Sequence, residues 1–161
     1  MPVDHLARDA DGSLHGVLPD EAATLALGQR LAACLEPGFR IYLHGDLGAG
    51  KTTLVRGLLR GLGYAGRVKS PTFTLVETYN LSSLYLYHFD FYRLRDPDEW
   101  RDAGFREAFG GDAICLVEWP ERAALPAPDL RIHLAHAGEG RRVRLAGHGA
   151  RATGCLEHLT R

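Results

Sequence analysis

The sequence predicts a three-layer α/β domain, with a central and mostly parallel sheet that carries additional antiparallel strands. Three observations predict it. A β-rich run, "RIYLH", leads through a glycine-rich loop into a helical stripe of Leu54, Val55, Leu58, Leu59 and Leu62. A second apolar run, "AICLV" at 113–117, has no polar partner face, as expected of a strand buried on both sides of a parallel sheet. Two further pairs of β-rich runs, each joined by a short polar turn, read as antiparallel hairpins.

Over residues 20–35, Leu27, Leu31 and Leu35 fall four apart on one helical face, and Pro37 with Gly38 stops the helix. "RIYLHG" then reads as a strand, and the helix after the glycine loop ends among Gly61 and Gly63. "TLVETYN" and "LYLYHFDFYRL" form the first hairpin. Two-residue alternation in the latter puts Tyr87, Phe89 and Phe91 on one face, read as core, and His88, Asp90 and Tyr92 on the other, read as a site. "DPDEW" starts a helix: Asp96 as N-cap, Pro97 at the first helical position, Glu99 reaching back, with Gly110 and Gly111 ending the helical segment. "AICLV" runs into Glu118. "LRIHLAHA" and "RRVRLAG", joined through Glu139 and Gly140, make the second hairpin, and a short helix is expected near the carboxyl end. No repeat or low-complexity segment divides the chain, so residues 1–161 read as one domain with 1–12 as a candidate flexible lead.

At 161 residues and 45% hydrophobic, one core is expected, burying about two-thirds of the surface that the unfolded chain exposes. Cys34, Cys115 and Cys155 include no close pair, which indicates neither a disulfide framework nor a zinc site. "MPVDHLARDADGS" is too polar for a secretory signal, and the apolar runs are far shorter than a membrane span, so a cytoplasmic location is expected. The net charge of -1 argues against a uniformly basic nucleic-acid binder, but residues 131–161 hold six arginines against Glu139 and Glu157, leaving -5 on the remainder. That end is either a basic patch or simply a solvated, charged surface.

Gly45, Asp46, Leu47, Gly48, Ala49, Gly50, Lys51 and Thr52 fit the phosphate-loop pattern G-x-x-x-x-G-K-[ST] in full, with Thr53 following. A triphosphate needs several backbone N–H groups turned toward one point, which requires a chain without Cβ obstruction that can adopt positive φ. The helix that starts near Lys51 adds its unpaired N–H groups and a partial positive charge. Lys51 then supplies a compact charge to the outer phosphates, and Thr52 a hydroxyl to Mg²⁺. A nucleoside triphosphate with Mg²⁺ is therefore the expected ligand of a P-loop NTPase-like domain. Only two of the 19 basic residues are lysine, and Lys51 stands where a planar guanidinium would be too bulky. Lys69, just before "SPTF", is either a second charge near the phosphates or an ordinary surface lysine.

A phosphate loop also needs acids. Glu118, at the carboxyl end of the buried strand, is the candidate partner of Mg²⁺, directly or through water. Asp90 is the second candidate acid, a catalytic group or a solvated strand residue. Ser70, Pro71 and Thr72 form a loop whose hydroxyls can sense a γ-phosphate as a switch segment does, with Pro71 forcing the residue before it toward extended geometry. His88 reads as either a site residue or a structural histidine, and Trp119 as a rim or core aromatic.

With these residues assembled, the chain resembles the TsaE (also YjeE) family of bacterial P-loop ATPases required for threonylcarbamoyladenosine formation in tRNA. The resemblance is carried by "LPDEAATLALG", "GDLGAGKTTLVRG", "VKSPTFTLVETY", "YHFDFYRL", "ICLVEWPE" and "LPAPDLRIHL", in that order, while the first dozen residues lie outside it. It implies ATP hydrolysis that is weak alone and stimulated by the TsaB and TsaD proteins, in support of threonylcarbamoylation of the adenosine beside the anticodon. It also implies Thr52 and Glu118 as Mg²⁺ ligands, Thr24 and Arg141 as nucleotide contacts, and Asp90 as a catalytic or switch residue. The sequence offers no clearly assigned arginine finger, consistent with partner dependence. Rival readings are a P-loop small-molecule kinase and a nucleotide-gated binding subunit without essential hydrolysis. A GTPase is disfavoured by the lack of an N-K-x-D segment. Contact of Arg141, Arg142 and Arg144 with tRNA through the complex is a further expectation; no membrane association is expected.

Overall fold

The computed structural model describes residues 6–81, 84–102 and 104–160. Among them eight strands form one sheet: β1 (Ala7–Arg8), β2 (Leu14–Leu18), β3 (Arg40–His44), β4 (Val76–Asn80), β5 (Tyr85–Asp90), β6 (Ile114–Glu118), β7 (Leu130–Ala137) and β8 (Gly140–Gly147), in spatial order β1-β2-β8-β7-β3-β6-β5-β4. β7, β3, β6 and β5 are mutually parallel and form the centre. β4 joins one edge antiparallel, and β8, β2 and β1 extend the other.

β3 lies between two parallel neighbours, so its carboxyl end opens onto the crevice where parallel sheets hold ligands. Helices α1 (Glu21–Ala32), α2 (Lys51–Gly61) and α4 (Ala150–Leu159) cover one face, packing Leu27, Leu31, Leu54, Leu58 and Leu156 against Ile41, Leu43, Leu116 and Ile132. On the other face the one-turn α3 (Glu99–Asp102) and a 3-10 helix, Phe105–Phe109, close a smaller aromatic core with Phe89, Phe91, Trp100 and Val117. These are the three layers that the sequence pattern predicts.

α1 starts where Asp20, in extended conformation, accepts a hydrogen bond from Ala23 N at 2.8 Å. It ends at Ala32, so Leu35 packs on the core from beyond the helix instead of continuing the stripe. α1 and α2 cross backbone to backbone: a Cβ on Gly57 would lie 2.2 Å from the Leu25 carbonyl oxygen, and one on Gly28 2.3 Å from that of Leu54. This close crossing sets α1, and Thr24 with it, directly against the start of α2.

Both hairpins form as read. β4 and β5 pair from Val76↔Phe89 to Asn80↔Tyr85; part of their turn, residues 82–83, lies outside the described residues. In the second hairpin the turn is Gly138 and Glu139, one residue earlier than expected, because Gly140 pairs with Ala137 and opens β8. The Asp96 box is present, with Asp98 N donating to Asp96 Oδ1 at 2.9 Å and Asp96 N to Glu99 Oε1 at 3.4 Å, yet the helix it starts is a single turn. β1 and β2 are additions to the predicted sheet: the "LHGVL" of β2 alternates buried Leu14 and Leu18 with exposed His15 and Val17, but its glycine masks the pattern. Among the described residues no helix is long and apolar enough to cross a membrane.

Candidate functional site

The loop between β3 and α2 is held open by its glycines. Gly50 caps α2 at φ 102, a left-handed conformation that leaves the first N–H groups of the helix without a side-chain partner. At Gly45 a Cβ would meet the Leu134 carbonyl oxygen at 2.5 Å. Arg141, projecting from β8, fastens the loop from the side: its Nε donates to the Ala49 carbonyl at 2.9 Å and its Nη2 to that of Gly48 at 3.0 Å.

Lys51, Thr52, Thr53, Ser70, Thr72, Asp90, Glu118, Trp119 and Arg141 line one cavity of about 290 Å³ with Leu47, Gly48 and Gly50. β3, β5 and β6 deliver these groups to one sheet edge, since Asp90 pairs in register with Glu118 and Leu43 with Glu118. Gly45 and Ala49 shape the loop from behind, Asp46 is exposed at its turn, and Pro71 is buried under the Ser70–Thr72 segment. A second cavity of about 260 Å³ adjoins the first across Gly50, Thr53 and Arg141, and is lined also by Thr24 and Glu139. Lys69 is exposed and lines neither cavity.

Lys51 is 4% exposed. Its Nζ donates to the Gly45 carbonyl at 2.5 Å and lies 3.8 Å from the centre of the Trp119 ring. Burial pulls its pKa down, and the carboxylates of Glu118 and Asp90 partly oppose that. Thr52 Oγ1 donates to Glu118 Oε2 at 3.3 Å, so a hydroxyl and a carboxylate, both hard oxygen donors, stand side by side. That pair suits Mg²⁺, which takes one or two protein oxygens and completes its octahedron with phosphates and water.

Asp90 is buried, and both its oxygens are engaged: Oδ2 accepts from Thr72 Oγ1 at 3.2 Å and Oδ1 from Tyr92 N at 2.9 Å. Burial pushes its pKa up, with the Glu118 charge adding to the effect. Thr72 in turn shares a 2.8 Å hydrogen bond with Ser70. The loop is tied to Asp90 through its backbone too, since Asp90 N donates to Leu75 O at 3.0 Å while Leu75 holds φ 67.

A family model described as threonylcarbamoyl adenosine biosynthesis protein TsaE matches residues 18–144, a span that contains every candidate site residue. The chain belongs to the TsaE family. Proteins named tRNA threonylcarbamoyladenosine biosynthesis protein TsaE resemble it along most of their length. The one from Haemophilus influenzae is 46% identical over 140 residues, covering 83% of this chain and 89% of that protein. The one from Bacillus subtilis is 42% identical over 148 residues, covering 90% and 91%. The crystal structure of Bacillus subtilis YdiB superposes with a TM-score of 0.78 at 33% identity, over 97% of this chain and 96% of that one.

In this TsaE family member the structure settles two residues that the sequence pattern leaves open. Trp119, read as a rim or core aromatic, stacks against the Lys51 ammonium, and its position directly after Glu118 is the available signal. His88, open between two roles, is fully buried and hydrogen-bonds Glu118 through Nε2 at 2.6 Å; its parity with Asp90 along β5 is the signal there. Among the arginines of 131–160, Arg131 and Arg144 line one cavity with Arg8, and Arg142 lines another beside Arg144, whereas Arg141 and Arg151 lie elsewhere. Arg141 serves the loop, Arg151 pairs with Asp129 at 3.1 Å, Arg144 with Asp11 at 3.1 Å, and Arg131 contacts His44. Arg161 lies outside the described residues.

Proposed function

We propose that this chain binds ATP with Mg²⁺ and hydrolyses it slowly alone and faster with TsaB and TsaD, in support of threonylcarbamoylation of the adenosine next to the anticodon in tRNA. The observation that carries this reading is the convergence of Lys51, Thr52, Asp90 and Glu118 on one cavity at the mouth of the phosphate loop. Membership of the TsaE family supports the tRNA-modification role.

In this reading the backbone N–H groups of 46–52 and Lys51 hold the phosphates, and Thr52 and Glu118 hold the metal. Mg²⁺ supplies charge neutralisation on the phosphate oxygens. The second cavity, with Thr24 and Arg141, is of a size and position to take the nucleoside. Asp90, raised toward neutrality by burial, is suited to accept a proton from, or to orient, an attacking water once Thr72 turns to the γ-phosphate. Cytoplasmic residence is in keeping with this role and with the free thiols of Cys34, Cys115 and Cys155.

Partner dependence is supported by the surface around the mouth. Leu47 on the phosphate loop is 63% exposed and Phe73, next to Thr72, is 81% exposed, which presents apolar side chains to a protein that docks there. Docking on Phe73 acts one residue from the Thr72–Asp90 hydrogen bond. A stimulatory arginine supplied by such a partner is worth about 10³ to 10⁵ in rate in related NTPases.

The test is ATP turnover with and without TsaB and TsaD, comparing wild type with Asp90→Asn and Glu118→Gln. Stimulated turnover lost in both variants is expected. A variant that fully supports tRNA modification without turnover would instead favour a nucleotide-gated binding subunit, a reading to which the full engagement of both Asp90 oxygens lends support. Phosphate transfer to a small acceptor would favour the kinase.

A further inference from the structure

We infer that His88 is the positioning residue of Glu118, fixing one carboxylate oxygen from inside the sheet so that the other is presented to the metal. This rests on the reading of Glu118 as a Mg²⁺ ligand and adds a residue that the phosphate-loop pattern does not contain.

Glu118 Oε2 receives both protein hydrogen bonds, from His88 Nε2 at 2.6 Å and from Thr52 Oγ1 at 3.3 Å. Oε1 has none among the described residues, and the carboxylate lines the phosphate cavity. Two donors on one oxygen fix the plane of the group and leave the second oxygen toward the cavity. His88 lies on β5, opposite Leu116 of the neighbouring β6, so it approaches Glu118 diagonally from below. At 0% exposure it has no route to solvent, and its rotamer is set by the packed core around it.

The tautomer is decided by the other ring nitrogen. Nδ1 is buried and has no hydrogen-bond partner among the described residues. A proton there would be an orphaned donor, and Nε2 and Oε2 would be two acceptors 2.6 Å apart. Hydrogen bonding therefore assigns the proton to Nε2, which donates to Glu118 Oε2. A core site facing Leu116 is filled more cheaply by an apolar side chain, so an imidazole with one nitrogen unpaired is explained by what its other nitrogen holds.

The experiment is calorimetric titration of the full chain with ATP, once with Mg²⁺ and once with EDTA, for wild type, His88→Leu, His88→Gln and His88→Asn, with thermal denaturation of each. Glutamine brings its amide nitrogen to the place of Nε2, whereas asparagine reaches only that of Nδ1. The Mg²⁺-dependent gain in affinity is expected to fall about 10-fold or more in His88→Leu and His88→Asn and to survive in His88→Gln, the size expected for loss of a hydrogen bond to a metal ligand. Affinity in EDTA is expected to stay within about 2-fold throughout, because the phosphate loop itself is untouched. A wild-type Mg²⁺ gain in His88→Leu overturns the inference, as does an equal loss in EDTA, which marks a purely structural histidine. If His88→Leu does not fold, the contrast between the glutamine and asparagine variants decides, and equal behaviour of those two overturns it. Absence of any Mg²⁺ gain in wild type removes the metal reading of Glu118, and this inference with it.

Discussion

Replacing Gly57 by alanine sets two effects of opposite sign against each other. Alanine in a helix interior is favoured over glycine by about 1 kcal/mol. Against this, the new methyl would stand 2.2 Å from the Leu25 carbonyl oxygen and 2.9 Å from its Cα, both backbone atoms of α1 that cannot turn aside. Ordinary contact begins near 3.4 Å, so the helices must part by about 1 Å, and overpacking of this kind costs roughly 1 to 3 kcal/mol. The parting also loosens the seam of Leu27, Leu31, Leu54 and Leu58, all 2% exposed or less, and such a gap forfeits a quarter to a half of each dispersion contact, roughly. The clash wins, with a net loss of up to about 2 kcal/mol, or up to roughly 4 to 8 °C in Tm for a chain of this size. Functionally, α1 carries Thr24 against the loop, where a Cβ on Gly50 would lie 3.8 Å from Thr24 Cγ2. Nucleotide affinity should therefore fall together with stability. Urea denaturation and ATP titration of Gly57→Ala measure both. A variant as stable as wild type would show that propensity outweighs the crossing, and would refute the tight seam that positions Thr24.

Other expectations rest on single contacts. Thr72→Val removes the 3.2 Å hydrogen bond to Asp90, and the one shared with Ser70, while keeping side-chain volume; stability should fall by about 1 to 3 kcal/mol, while turnover in the presence of TsaB and TsaD should collapse, and undiminished turnover would remove the switch role of the loop. Arg141→Met takes away two charged hydrogen bonds to loop carbonyls; calorimetry should find ATP affinity reduced about 10-fold or more, and unchanged affinity would leave Arg141 a surface residue. His44, stacked on His133 and accepting from Arg131 Nη1 at 3.1 Å, is pushed down to about 4, first by burial and then by the neighbouring His133. Its folded value lies below the unfolded one, so its contribution is complete above about 6.5 and is lost as pH falls toward 4. Denaturant unfolding across that window should cost wild type up to about 3 kcal/mol more than His44→Gln, in which the amide oxygen still accepts from Arg131; parallel curves would contradict it.

Much of this is readable in the residues because local signals and tertiary demands agree. "RIYLH", the glycine loop and the leucine stripe of α2 each specify one conformation, and "AICLV" reads as a strand that is indeed buried on both faces. The alternation that separates His88 and Asp90 from Phe89 and Phe91 holds, but both faces are buried, with His88 and Asp90 nearly as enclosed as the aromatic pair. The features that escape the sequence depend on distant partners. Nothing near His88 announces Glu118, thirty residues on. Arg141, Arg144 and Arg151 look like one basic segment until alternation along β8 and the turn into α4 send them to the loop, to Asp11 and to Asp129. A helix start as strong as Asp96 to Glu99 yields one turn, because capping sets where a helix begins and packing sets how far it runs.

In the proposed function, residues 45–52 are a phosphate cradle in which Lys51 is the principal charge. The decisive measurement is isothermal titration of wild type and Lys51→Ala with ATP in the presence of Mg²⁺. Measurable saturable binding by wild type, weakened at least tenfold or so in the variant, is the expected result. Folded wild-type protein that takes up no ATP, or a variant that binds it equally well, would rule out that cradle.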